Sequence, residues 1–168
     1  SKWVSRFKYV SPTGEVRNLL GYGSPSFLAD GTILFNSILL DNTQQAKNEE
    51  LLATTGKLAR IGGWEVDFIN ESVYWTKETH LIHETDSNSF IPTLEGAINF
   101  YREDFHDLIR SKVDECITTG EPYEVEAVLI TANKKELWVR SNANAEFING
   151  VCIRIYGSIQ DIHEQKIA

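Results

Sequence analysis

Apolar and polar residues alternate with a strand-like period over the first forty positions, at Trp3, Phe7 and Tyr9, from Val16 to Tyr22, and from Ile33 to Leu40. Turns are expected at Pro12-Thr13-Gly14 and Asp30-Gly31, where Pro and Gly supply turn geometry. The period then changes. Asp41-Asn42-Thr43 carries helix-capping chemistry, and Gln44 to Arg60 is rich in Gln, Glu, Lys, Ala and Leu, which predicts a helix. Leu51/Leu58 and Leu52/Ala59 repeat at seven, but Asn48 and Thr55 break the seam, and Gly62-Gly63 is expected to end the helix.

A second strand-like alternation begins at Trp64-Glu65-Val66-Asp67-Phe68, turns through Ile69 to Ser72 and returns at Val73 to Thr76. Short helical pieces follow between Lys77 and Phe100, interrupted by Asp86 to Ser89 and by Pro92. A longer helix is predicted over Glu103 to Thr119, burying Phe105, Leu108, Ile109, Val113 and Ile117 and stopping at Gly120. Three strands close the pattern, at Tyr123–Thr131, Glu136–Phe147 and Val151–Ile159, and a polar helix starts at His163.

The closing three-strand pattern occurs twice, from Arg6 to Thr43 and from Glu124 to His163. Each copy has a Gly-containing turn (Asp30-Gly31, Asn149-Gly150), then a β-branched strand ending in Asp, Asp41 or Asp161. Only the second copy is preceded by the hairpin and helices that complete an α+β unit, with helices on one face of a five-stranded antiparallel sheet. The expected division is closing strands of a preceding unit over 1–43, a linker helix over 44–60, a complete unit over 61–163 and the start of an outgoing helix over 164–168.

The second unit resembles a PAS sensory domain of the subfamily with a Trp-rich opening strand. The resemblance rests on Gly63-Trp64-Glu65-Val66-Asp67, Tyr101-Arg102-Glu103-Asp104, Thr119-Gly120-Glu121-Pro122-Tyr123, Leu137-Trp138-Val139-Arg140 and Gly157-Ser158-Ile159-Gln160-Asp161-Ile162. The family's closing Asp-Ile-Thr is Asp161-Ile162-His163 here and Asp41-Asn42-Thr43 in the first copy, and Asn133-Lys134-Lys135 replaces its usual Gly turn. The resemblance implies a sensory or interaction module in a cytoplasmic segment of a sensor kinase or cyclic-dinucleotide enzyme, coupled to an effector domain at the strand-to-helix junction. It also implies homodimerisation through the outer sheet face.

Alternation assigns the sheet faces. The helix-facing side carries the candidate ligand pocket, Trp64, Phe68, Trp75, Ile98, Phe105, Ile109, Tyr123, Val139, Ser141 and Ile155, with few polar groups. That inventory suits a small apolar ligand or a filled core, whereas flavin or haem needs more converging donors or a roomy apolar cavity with an axial ligand. The outer side, to which Cys152 is also assigned, offers Trp138, Arg154 and Tyr156 as a candidate interface. Asp41, Thr43, Asp161 and Ile162 are the candidate signal junction. The first copy has apolar residues on both sides, Ile33, Phe35 and Leu39 against Leu34, Ile38 and Leu40, and is expected to be covered by another protomer or by the second unit.

Composition narrows the picture. With 168 residues, 42% hydrophobic, the chain can bury a sizeable core. A formal net charge of −8 with no basic stripe argues against nucleic acid. No apolar run approaches the roughly 20 residues of a membrane span. Two cysteines, Cys116 and Cys152, fit a reducing compartment, and the absence of Met points to a piece of a longer chain. His80 and His83 beside Glu84 form a two-His-one-carboxylate spacing, though no metal is expected, and His106 is a remote haem-ligand candidate. The Asn-Cys-Arg motif of blue-light PAS relatives is absent. His163-Glu164 lacks the following residues of a kinase phosphoacceptor, and no nucleophile–base pair or phosphate loop appears. The segment is therefore expected to be non-catalytic. The rival readings are a dimerisation module with a filled core and a flavin or haem redox or gas sensor.

Overall fold

A computed structural model describes all residues, 1–168. The chain divides into two compact units, Ser1–Thr54 and Thr55–Ala168. In the first, β1 (Trp3–Val10), β2 (Val16–Phe27) and β3 (Ile33–Asp41) form an antiparallel sheet in that order. Trp3 lies opposite Gly23, and its indole lies across Gly21 and Gly23. A Cβ at Gly23 would sit 2.0 Å from Trp3 Nε1, so the glycine makes room for the ring. Ile33, Phe35 and Leu39, and on the other face Leu34, Ile38 and Leu40, remain exposed. Helix α1 spans Thr43–Ala59. Arg60 leaves it in the left-handed region (φ 53°), so the helix stops before Gly62-Gly63.

Those two glycines begin a strand instead: β4 (Ile61–Asp67) pairs with β5 (Ser72–Trp75) and β8 (Val151–Asp161). At Gly62 the helix α2 (Lys77–His83) lies close against the strand, since a Cβ there would lie 2.1 Å from Thr79 Oγ1 and 2.5 Å from Thr79 N. Two hydroxyls fasten the contact. Thr79 Oγ1 donates to Gly63 O (2.7 Å), and Gly63 N–H donates to Thr76 Oγ1 (3.0 Å).

After α3 (Leu94–Asn99) and a 3₁₀ turn (Glu103–Phe105), α4 runs from His106 to Thr119 and ends on left-handed Gly120. β6 (Tyr123–Ile130) and β7 (Glu136–Ile148) complete the sheet in the order β5-β4-β8-β7-β6, and α5 (His163–Ile167) leaves it. The α+β plan, with a five-stranded antiparallel sheet plus a three-stranded one, is as the alternation predicted.

The core lies between the sheet and α2–α4, centred on Leu129, Val139 and Ile155, all with no exposed surface. Ile109, Val113 and Cys116 form the buried stripe of α4 at spacings of four and three. Leu108, expected inside, stands one residue off that stripe and is 43% exposed. A bulge at Glu146/Phe147 pairs Phe147 with Cys152 and leaves Ile153 unpaired. The extra residue reverses the alternation before Arg154, so Cys152 packs against the core rather than on the outer face. Where the family's Gly turn was missing, Lys134 takes the left-handed conformation itself (φ 66°).

Candidate functional site

A cavity of about 60 Å³ lies between the sheet and the helices. Of the sequence candidates, Trp64, Trp75, Ile98, Ile109, Tyr123 and Ser141 line it. The other four do not. Val139 and Ile155 are packed solid within the core, and Phe68 opens onto a surface groove with Ile91 and Pro92. Phe105 sits edge-on to Trp138 at 6.0 Å, beneath the Arg102 guanidinium.

Sequence alternation missed the polar lining contributed by helices and loops: Thr79, His83 and Tyr101. Tyr101 leaves α3 and bridges to Leu129, which brings its phenol into the core, where burial pushes its pKa up and a hydrogen bond to Ser141 opposes the shift. Burial likewise pushes up the Tyr123 phenol. His83 stacks on Trp75 (4.2 Å between ring centroids) and uses Nδ1–H to hold Thr79 O at 2.8 Å. Only 3% exposed, its imidazole is driven down to about 4 by desolvation.

His80 packs edge-on to Trp75 and shares its Nδ1 with Thr85 Oγ1, while Glu84 accepts from Thr131 Oγ1 (2.6 Å) and Lys135 (3.0 Å). The spacing that raised a metal set serves an aromatic cluster and a tie to the β6–β7 turn, and no group of three such side chains is placed to hold an ion. His106 donates Nε2–H to Tyr101 O (2.6 Å) and does not line the cavity.

On the outer face, Trp138 is half-buried under α5, with Lys166 Nζ 5.1 Å from its ring. The Arg154 guanidinium lies over Tyr156 at 4.1 Å and pairs with Glu65 (2.9 Å) and Glu146 (2.5 Å). The candidate interface is thus a ladder of charges already paired within the sheet.

The junction residues form the most organised cluster. Asp41 Oδ1 accepts from Thr43 N–H (3.0 Å) and Thr43 Oγ1 (2.6 Å), and its Oδ2 accepts from Arg17 (2.9 Å). These bonds, Thr43's first, lower the Asp41 pKa. Asp161 repeats the arrangement with its side chain 1% exposed. Its Oδ1 accepts from His163 N–H (2.9 Å), its Oδ2 is in ion-pair contact with Arg60 but accepts no hydrogen bond, and its own N–H donates to Arg60 O (3.0 Å). Ile162 is buried and donates N–H to Trp138 O (3.0 Å). Arg60, not anticipated from sequence, sits where α1 ends. One carboxylate therefore joins the segment entering the second unit to the segment leaving it.

A five-stranded antiparallel sheet in this order, with helices on one face, a small cavity and an Asp-closed exit strand, defines an α+β domain of PAS-like plan. The chain belongs to the PAS family: a model described as PAS fold matches residues 72–159, just over half of the chain. No curated protein matches it. Among solved structures it resembles an RNA-binding Light-Oxygen-Voltage receptor (17% identity, TM-score 0.56), over 62% of this chain but only 30% of that one. It also resembles a sensory box histidine kinase/response regulator from Burkholderia thailandensis E264 (17%, TM-score 0.58, 69% and 87% covered). A third likeness is the N-terminal domain of a diguanylate cyclase with PAS/PAC sensor from Marinobacter aquaeolei (11%, TM-score 0.57, 63% and 98% covered). At these identities the likeness is one of fold.

Proposed function

We propose that this chain is a non-catalytic sensory or interaction module of a multidomain signalling protein, of the sensor-kinase or diguanylate-cyclase type. In this reading it works in a cytoplasmic segment as a homodimer and relays ligand or partner state through its strand-to-helix junctions. The observation that carries the reading is Asp161, which holds Arg60 with one oxygen and the His163 amide with the other. A change in core packing that shifts the end of β8 must then act on both connections, because they share one buried carboxylate. Asp161→Ala is expected to leave the core folded and uncouple output in the parent protein. Unchanged output in that assay would sink the role.

The cavity's size favours a second reading, a dimerisation module with a filled core, because ligand sites usually span about 300–1,000 Å³. Gentle and energetic native mass spectrometry separates the two: a retained small ligand supports sensing, and bare protein under both regimes supports the filled core. A colourless, folded sample would set aside flavin and haem.

A further inference from the structure

The chain contains its own comparison for the outgoing junction, because both closing segments make the same set of bonds. Asn42 N–H donates to Asn18 O (2.9 Å), as Ile162 N–H does to Trp138 O (3.0 Å). The returning bond completes each pair. Asn18 N–H donates to Thr43 Oγ1 (2.8 Å), and Trp138 N–H donates to His163 Nδ1 (3.2 Å). His163 thus does for β7 what Thr43 does for β2.

The two acceptors differ in one respect. A hydroxyl oxygen accepts at any ordinary pH. A backbone N–H only donates, so the bond from Trp138 requires a lone pair on Nδ1, with the ring proton on Nε2. An imidazolium carries protons on both nitrogens and has no lone pair to offer. Protonation therefore sets two donors against each other. The ring must turn away and leave the Trp138 N–H without its partner, since that amide points to the β8 side, past the last β7–β8 pair, Val139 with Asp161.

The elements that meet at this junction carry charges of both signs. Asp161 ends β8, Glu126 lies on β6, Glu136 and Arg140 lie on β7, Arg60 precedes β4, and Glu164 and Lys166 share α5. Most are already matched: Arg60 with Asp161, Lys166 and Arg140 with Glu126, and Arg102 with Glu136.

We propose that His163, standing where the first junction has Thr43, makes the exit of the second unit an acid-sensitive latch: closed when the imidazole is neutral, released when it is protonated. The latch deepens the relay reading, on which its consequence for the parent depends, but the bond is testable in the chain itself. Amide spectra and hydrogen exchange are to be recorded from about pH 8 to about pH 5.5, the range in which histidines change charge. After correction for intrinsic exchange, Trp138 protection should fall about five- to tenfold, the worth of one net hydrogen bond. Its resonance should move as well, while Asn18, held by Thr43, stays constant and the Ile155 amide reports any global loosening. His163→Thr should abolish the Trp138 response. A Trp138 amide that does not respond, or responds equally in His163→Thr, would overturn the latch. An intact amide response with acid-insensitive output from the parent would instead count against the relay.

Discussion

Mild acid should destabilise the second unit through His83. Its imidazole is buried against Trp75, and burial holds it neutral down to about pH 4 in the folded state, against 6.5 as the ordinary value. Below pH 6.5 the unfolded chain binds a proton that the folded chain refuses, so stability falls as pH falls and levels off once the folded state also protonates near pH 4. For one such group the loss between about pH 7 and about pH 5 is about 2 kcal/mol. The burial of His80 acts in the same sense. Urea unfolding at the two pH values, with the tryptophans of the second unit as the signal, measures the difference. His83→Gln keeps a donor for Thr79 O but cannot titrate, so it should remove most of the pH dependence. Equal losses in the wild type and the variant would refute the assignment.

Other consequences are local. Gly62→Ala should cost about 1–3 kcal/mol, because the new methyl meets the Thr79 backbone and something must move. Gly63→Ala, whose Cβ would meet the Thr76 methyl at 3.3 Å and Gly157 O at 3.9 Å, should cost clearly less in the same thermal melt. Ile155→Ala removes a side chain with no exposed surface and should cost about 2–5 kcal/mol. Leu108→Ala on the outer side of α4 should stay within about 1 kcal/mol, and a larger loss there would contradict the placement of the helix.

The strands, the long helix and the α+β plan were legible because each element carries its own period. Alternation fixed the inner positions of β6 and the first part of β7. It failed at Cys152 because a bulge adds one residue without any local signature, and the positions of β8 before it change face while Arg154 and those after it keep theirs. Gly62-Gly63 read as a stop because Gly is the usual helix terminator, but its reason is tertiary: Thr79 occupies the space of the missing Cβ. The cavity lining was half legible. Trp64, Trp75, Tyr123 and Ser141 lie on strands, whereas Thr79, His83 and Tyr101 arrive from helices and their flanks, whose orientation the sheet period does not encode. Asp41 and Asp161 were visible as caps, but Arg60 as the partner of Asp161 was not, since nothing in the sequence links the two ends of the unit. The His163 substitution was legible as a departure from the family pattern, and its meaning emerged only beside Thr43.

In the proposed relay one buried carboxylate couples entry to exit, and hydrogen exchange of the Ile162 and His163 amides in Arg60→Gln reads that coupling. The substitution touches only the entering segment and leaves the backbone bond from Asp161 N–H to Arg60 O in place. Faster exchange is expected at the His163 amide, whose acceptor Asp161 loses its charge partner, while core amides such as Ile155 are unaffected. Unchanged exchange at His163, with the Arg60 side chain gone, would contradict it.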